Sequence, residues 1–447
     1  MKKLGLSLLT IILFAANFAI ADNPLVRHMY TADPTARVMN GKLFVFPSTD
    51  IKCEEGKGNN GFCMPNYHVF SSENLFDWTD HGVIIDQADV KWGVFDGFGM
   101  WAPDCIEKEG KYYYYFPDMP KDTTAFRRIG VAVADNPEGP YTLENDYMKG
   151  LDGIDPNVFI DTDGQAYLYW GGGEKLYGAK LKANMKELAS EPVVINDLPS
   201  KYKEGSFVFE RNGIYYFTFP HSPHGTEELA YATGDNPLGP FEYQGFFMKR
   251  WTNGCWTNHH SIVEYKGQWM VFYHHKDISN NEHLRSMCAD NLNFNEDGSI
   301  QEVIPTLRGI GVCPATNEIQ IDRYSRIGEK EIQVNRIGSG LPANWQLDYI
   351  TNDSWVAYDR VNFRDGNLTE VEMNCASAAK GGSVEVRIGG ATGKLLAVVK
   401  ITNTGGWNQW KTFNVKLDKK VSGIQNLVCV FKGEEGNLFN VDWIKFK

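Results

Sequence analysis

Three acids in unlike local contexts each stand just ahead of a run of β-branched and aromatic residues: Asp33 in HMYTADPTARV, Asp155 in GLDGIDPNVFID and Glu204 in KYKEGSFVFE. Asp and Glu are poor strand residues, and any one of the three, taken alone, reads as the cap of a strand turn. Taken together they ask for another account, because like charges gathered in one place are costly unless their protonation is split. A split leaves one carboxyl protonated and able to give a proton, and another ionised and able to take one from water, which is general acid–base chemistry. His259 in TNHHSIVEYKG occupies the corresponding place in a further run. It is either a satisfied structural histidine or a ligand, direct or through water, for an ion on a central channel. Arg285 in HLRSMCAD follows one strand pair later and is either half of a surface ion pair or a cation reaching the same pocket. His274 and His275 read as strand residues, the first core and the second surface. No His-Glu-x-x-His is present, so a zinc hydrolase is not indicated.

The elements that must position these groups repeat. Asp33 to Gly41, Asp104 to Gly110, Asp155 to Gly164, Glu204 to Gly213 and His259 to Gly267 each read as strand, glycine turn, strand, with second strands LFVF, YYYYF, AYLYW, YYFTF and WMVFY. The spacing suits a β-propeller of five blades with four strands each. In such a fold the innermost strands converge, so heads distant in sequence meet at the axis. Two near-copies, GVAVADNPEGPY (130–141) and LAYATGDNPLGPF (229–241), occupy the same place in two blades, and Asn-Pro with Gly-Pro supplies their turn chemistry. Trp101, just before the second head, is either core or a pocket-rim aromatic able to stack on the apolar face of a sugar ring. Trp170, ahead of a glycine triplet with no following Lys-Ser/Thr, reads more readily as core.

Composition narrows the partners. The net charge is −12 over 447 residues with no basic run, which excludes tracking of a nucleic-acid backbone. Residues 1–21, with Lys2 and Lys3, an apolar stretch and Ala19-Ile20-Ala21, read as a signal peptide, so the chain is expected to be exported, periplasmic or secreted, with no membrane span. A monomer is expected. The eight cysteines lie beyond that leader, and only Cys53 and Cys63, bracketing EEGKGNNGF, suggest a bridge. The blade pattern stops after Pro305. Residues 311–326 read as a linker, and 327–447 as a β-sandwich of short alternating strands such as GGSVEVRIG and LLAVVKI.

The wording of TADPTARV, MWAPDC, GIDPNVFIDTDGQAYLYWGGG, KEGSFVFERNGIYY and TNHHSIVEYKGQWMVFYH resembles glycoside hydrolase family 43, over about residues 24–310. The resemblance implies an all-β chain: a five-bladed propeller catalytic domain, residues 22–310, ahead of a jelly-roll sandwich. By motif position it makes Asp33 the general base, Asp155 the residue that tunes and orients the acid, and Glu204 the general acid, with His259 as the axial histidine and Arg285 as the active-site arginine. Ser206 stands where Pro is common in that family. The final 120 residues or so, through GSVEVRIGGATGKLLAVVKITNTGGWNQW and LFNVDWIKF, resemble carbohydrate-binding module family 6. There the resemblance implies a sugar site at Tyr349, Trp407 and Asn440, and a structural calcium at Glu331, Gln333 and Asp442, while the chemistry itself needs no cofactor. The implied partner is a plant cell-wall polysaccharide or oligosaccharide. The expected activity is inverting, exo-acting release of α-L-arabinofuranosyl groups, then of β-xylosyl groups. Inversion implies carboxyls of base and acid about 6.5–9.5 Å apart. Endo-acting xylanase or arabinanase chemistry and a non-catalytic glycan-binding protein are the rivals.

Overall fold

The computed structural model describes residues 23–122, 126–172, 175–196, 198–199, 204–251, 254–328, 332–337 and 344–447. The leader proposed at 1–21 therefore lies outside the described residues, as does Glu331. The described chain is almost entirely strand; its one helical element is a short 3-10 turn, Gln87–Asp89.

Five antiparallel sheets follow one another as blades. Blade 1 comprises Tyr30–Met39, Lys42–Asp50, Asn66–Ser72 and Thr79–Asp86; blade 2, Asp104–Lys108, Lys111–Asp118, Arg128–Ala134 and Thr142–Leu143. Blade 3 is built from Ile154–Ile160, Ala166–Gly172, Lys175–Lys180 and Val193–Val194, and blade 4 from Phe207–Arg211, Ile214–His221, Glu228–Gly234 and Glu242–Met248. Blade 5 has three strands, Ser261–Tyr265, Gln268–His275 and Ser286–Asn291. The start of the described chain runs beside the last of these, with Leu25 N–H donating to Met287 O and Thr31 N–H to Arg285 O, so the ring is closed by joining its first residues to its last blade.

The unbroken aromatic runs follow from this geometry. A blade is covered on both faces by its neighbours, so both faces of its strands are apolar and the usual alternation with polar residues is lost. In YYYYF, Tyr112, Tyr114 and Phe116 pack toward blade 1, while Tyr115 packs toward blade 3. Five such clusters fill the five junctions. The near-copied turns fall after the third strands of blades 2 and 4, where Gly139 N–H donates to Asn136 O and Gly239 N–H to Asn236 O.

Nearer the axis, polar side chains cross the junctions. Thr35 Oγ1 donates to Pro103 O, Asp104 accepts from Asn157 Nδ2 and Val158 N–H, and Val208 N–H donates to Asn157 Oδ1. His260 Nε2 meets Thr218 Oγ1 at 2.7 Å, and Ser261 Oγ accepts Ala36 N–H and donates to Pro34 O. Thr35, Asn157 and Ser261 each lie two residues beyond a blade head, so one repeat position supplies the chemistry at the axis and the next-but-one fastens adjoining blades.

The C-terminal part is a two-sheet sandwich. One sheet pairs Trp355–Asn362, Ile424–Lys432, Gly381–Ile388 and Lys394–Thr402; the other pairs Gln333–Ile337, Asn344–Asp348, Asn440–Phe446, Glu370–Ser377 and Gly406–Lys416. Between them lies an apolar core that includes Val356, Tyr358, Val384, Leu427 and Ile444. The segment 311–326, expected as a linker, is built into this sandwich. Cys313–Pro314 and Arg326–Ile327 pair with Trp355–Asn362, Ile319–Gln320 pairs with Asn440–Phe446, and Cys313, Ala315, Ile319 and Ile321 are in its core. The same segment touches the propeller, where buried Arg323 donates from Nη1 to Asn23 O.

Candidate active site

The heads of blades 1 and 3 share an unusual backbone. Asp33 and Asp155 both precede proline and both adopt left-handed dihedrals, φ 50° and 55°, a conformation that costs a non-glycine residue energy and is held only by its surroundings. Strand pairing skips at both places, between Ala32 and Thr35 and between Ile154 and Asn157, so each Asp is bulged out of its ladder. In blade 4 Glu204 is followed by Gly205 at φ +70, where an added Cβ would lie 2.6 Å from Pro220.

One pocket of about 420 Å³ is lined by Asp33, Asp155, Glu204, His259 and Arg285, together with Trp101. All three acids read from the repeat thus meet, with the histidine and arginine beside them. The second head, Asp104, does not join them. Its carboxylate is taken by Arg37 Nε at 3.1 Å and by the Val158, Cys105 and Asn157 donors, which makes it a clamp between blades.

Arg285 is the buried cation of the site. Its Nη1 donates to Asp33 Oδ1 at 3.0 Å, its Nε to Asp50 Oδ2 at 2.9 Å and its Nη2 to Asp50 Oδ1 at 3.0 Å, and its plane lies 4.7 Å from the Phe62 ring centre. This is an interior ion-pair network, not a surface pair. Asp33 also accepts from Ser48 Oγ, and its N–H donates to His274 Nδ1. His274 Nε2 lies 3.0 Å from Thr257 O, which fixes the proton on Nε2 and leaves Nδ1 to accept. Burial raises the Asp33 carboxyl, but the Arg285 charge foremost, with the Ser48 hydrogen bond, more than offsets this, so the group sits below the ordinary carboxylate range and stays ionised.

Asp155 goes the other way. Burial first, then the charges of Glu204, Asp33 and Glu227, hold it well above the ordinary value, against the Gly205 N–H. His259 Nδ1 is 3.7 Å from its Oδ2, and burial pushes His259 down, so the ring is neutral at pH 7. A fourth carboxyl, Glu227, lines the same pocket. Its Oε2 accepts Asn258 N–H at 2.6 Å, and burial followed by Glu204 raises it well above the usual range. The pocket therefore holds one carboxylate matched to a cation and, beside Glu204, two carboxyls, Asp155 and Glu227, that burial and neighbouring charge raise well above the ordinary range.

The sequence reading missed Asp50, His274 and Glu227. Each lies at the end of a second strand or the start of a third, positions the repeat does not mark. His275, read as a surface residue, is fully buried: Trp251 packs on it at 5.2 Å and Arg323 of the sandwich's leading segment lies near it. Trp170 is core, stacked on Tyr177. Trp101 lines the pocket with the buried Arg127 guanidinium 4.1 Å from its ring centre. Cys53 and Cys63 form a disulfide, and the other six cysteines are buried and outside any disulfide.

In the sandwich, Tyr349 and Trp407 are 47% and 39% exposed, and Asn440 Nδ2 donates to Trp407 O. Trp407 is the second residue of strand Gly406–Lys416. Pairing there jumps from Ser377↔Gly406 to Cys375↔Lys411, and this bulge leaves the indole outside the ladder. Of the residues implied for calcium, Gln333 is exposed, and Asp442 accepts from Asn374 Nδ2 on Oδ2 and keeps a buried Oδ1 without a partner. Among the described residues no three metal-ligating side chains converge. No described helix is long and apolar enough to cross a membrane.

A propeller with split-protonation carboxyls in its axial pocket, followed by a sandwich with exposed aromatics, is the architecture of a modular enzyme that acts on carbohydrate. The chain belongs to glycosyl hydrolases family 43, which it matches over residues 21–300, and residues 329–447 match carbohydrate binding module family 6. It is accordingly a glycosidase, hydrolysing O-glycosyl bonds. It is 37% identical to xylosidase/arabinosidase 43A of Humicola insolens over 62% of this chain and 98% of that one. Across both modules it is 30% identical to an arabinoxylan arabinofuranohydrolase of Bacillus subtilis, covering 95% and 92% of the two chains. Among solved structures, a compost-metagenome β-xylosidase/α-arabinofuranosidase with xylotriose, in a calcium-free form, superposes with a TM-score of 0.59 at 35% identity, over 64% of this chain and 98% of that one. The Bacillus subtilis arabinoxylan arabinofuranohydrolase with cellotetraose superposes with a TM-score of 0.55 at 27% identity, over 96% and 98%.

Proposed function

We propose that this chain is an exported, inverting, exo-acting glycosidase that removes α-L-arabinofuranosyl groups from plant arabinoxylan. Asp33 takes a proton from the attacking water, Glu204 gives one to the leaving oxygen, and Asp155 keeps Glu204 protonated and oriented. The observation that carries this reading is the contrast between Asp33 and the Asp155–Glu204 pair in one pocket: Arg285 holds Asp33 below the ordinary carboxylate range, while burial and the charge of Glu204 raise Asp155, so that the pair retains a proton for the leaving oxygen. Relatives that span both modules are named for arabinoxylan, which favours arabinofuranosyl release. β-Xyloside cleavage is the second reading, because relatives matching the propeller alone carry xylosidase names.

A panel of aryl α-L-arabinofuranosides and β-D-xylosides, read alongside arabinoxylan and linear xylan, tests the substrate. NMR of the first-formed sugar tests inversion. Release of the anomer with retained configuration, or cleavage of unbranched xylan in mid-chain, overturns the corresponding part. Tyr349, Trp407 and Asn440 are assigned to polymer binding. A calcium ion is assigned to the sandwich, where the orphaned buried Asp442 Oδ1 fits a hard cation; His259 is assigned to an axial ion or water. A thermal shift on chelation followed by calcium addition tests both ions. N-terminal sequencing of the exported protein tests cleavage after residue 21, and its sedimentation tests the monomer.

A further inference from the structure

Arg285 is gripped by two stretches of blade 1 that are neighbours in space. The first is the end of strand Lys42–Asp50, whose last residue binds the guanidinium through both carboxylate oxygens and also accepts the Arg285 N–H at 2.8 Å. The second is Phe62–Met64: the Phe62 ring lies under the guanidinium, and Met64 Sδ accepts from Nη2 at 3.7 Å. Between these stretches runs the loop 53–61, almost wholly exposed and without an apolar side chain of its own. Behind them the last ladder pair of strands Lys42–Asp50 and Asn66–Ser72 is Ser48↔Tyr67; beyond it the stretches are joined by the Ile51 N–H to Cys63 O bond and by the Cys53–Cys63 disulfide, one sulphur three residues beyond Asp50 and the other between Phe62 and Met64. Gly58 packs onto the bridge at φ +74, where an added Cβ would meet the two sulphurs at 2.6 and 2.9 Å.

We propose that the Cys53–Cys63 bridge is a positioning element for the catalytic base, acting through Arg285: it holds together the two segments that fix the guanidinium against Asp33. The inference rests on the reading of Asp33 as base. When the bridge opens, Asp50 and Phe62 separate, and Arg285 no longer keeps its 3.0 Å contact with Asp33. Around Asp33 the remaining groups are His274 and His259, both neutral at pH 7, together with Asp50, Asp155, Glu227 and the Tyr67 hydroxyl. None of them supplies a replacement cation. An opposite charge at contact lowers a carboxylate by about 1–3 units, so a loosened Arg285 returns part of that interval and the base needs a higher pH to ionise.

The test is the pH profile of kcat/KM on whichever small aryl glycoside the enzyme cleaves, measured for the native protein, for the native protein after phosphine reduction, and for C53S/C63S. The expected result is an acid limb displaced upward by about half a unit or more, with the limb restored on reoxidation of the reduced native protein. If melting temperature falls while the acid limb stays in place, the bridge is a structural staple only and the proposal is overturned. Should C53S/C63S not fold, the reversibly reduced native protein decides between the same two outcomes. Asp33→Asn, run alongside, separates the two levels: retained activity there overturns the base assignment itself, whereas an inactive Asp33→Asn with an unmoved limb overturns the bridge alone.

Discussion

The heads of blades 1 and 3 differ little in sequence or backbone. Each is an Asp-Pro bulge with a left-handed aspartate, each residue is 5% exposed, and each lines the same pocket. Their carboxyls are nevertheless shifted in opposite directions, Asp33 below the ordinary range and Asp155 well above it. The difference comes from residues that neither head encodes. Arg285, itself anchored by Asp50, contacts Asp33 alone, while Asp155 has a neutral His259 and the like charge of Glu204. A fold repeat supplies equivalent positions, and the partner that breaks their equivalence decides which acid does which task.

The comparison breaks most severely if the ionised head is removed. Asp33→Asn is expected to lower kcat by about 10²–10⁴-fold on every substrate, activated or not, because water must be activated whatever leaves; initial rates on an aryl glycoside and on arabinoxylan check this. Arg285→Met makes the two heads alike. It leaves Asp33 and Asp50 buried without their cation, a change expected to cost about 3–5 kcal/mol of stability by chemical denaturation. The sign of the pH effect follows from a depressed carboxylate. The stabilisation from the Asp33–Arg285 pair is present above the unfolded pKa and is lost as pH falls through the folded one, so in Arg285→Met the acid limb of kcat/KM moves to higher pH. Glu204→Gln sharpens the comparison on the acid side. It is expected to lose most activity on poor leaving groups and much less on activated aryl glycosides, and equal losses on both would count against proton donation by Glu204. The smallest effect on chemistry is expected from the other module: Trp407→Ala should weaken retention on insoluble arabinoxylan while leaving turnover of a small aryl glycoside unchanged.

Much of this was legible because the repeat is written in residues that tolerate few alternatives. Glycine at each inner hairpin and apolar runs on both strand faces declared the blades, and the heads of blades 1, 3, 4 and 5 declared the pocket. The exception is instructive: Asp104 holds the same repeat position, yet Arg37 and the Val158 N–H claim its carboxylate for an inter-blade clamp. Asp50, His274 and Glu227 were not legible, since they reach the pocket through strand register and loop packing that link residues as far apart as 33 and 274. His275 was misread for a similar reason. What covers it comes from a part of the chain that composition marks as a linker, because its prolines and short pairings lack the period of a strand.

That covering segment has a consequence for how such modules travel between genes. The match to the carbohydrate-binding family begins at residue 329, yet Cys313–Pro314 and Arg326–Ile327 line the outer edge of strand Trp355–Asn362 and Ile319–Gln320 lies against Asn440–Phe446. A crossover at residue 327 would carry off a sandwich with that edge bare, a template for strand addition between molecules. It would also leave behind four apolar residues, Cys313, Ala315, Ile319 and Ile321, that the donor's core had enclosed. The unit that can be shuffled intact starts near Cys313, so the heritable boundary between the two halves falls about fifteen residues ahead of the one that sequence similarity draws.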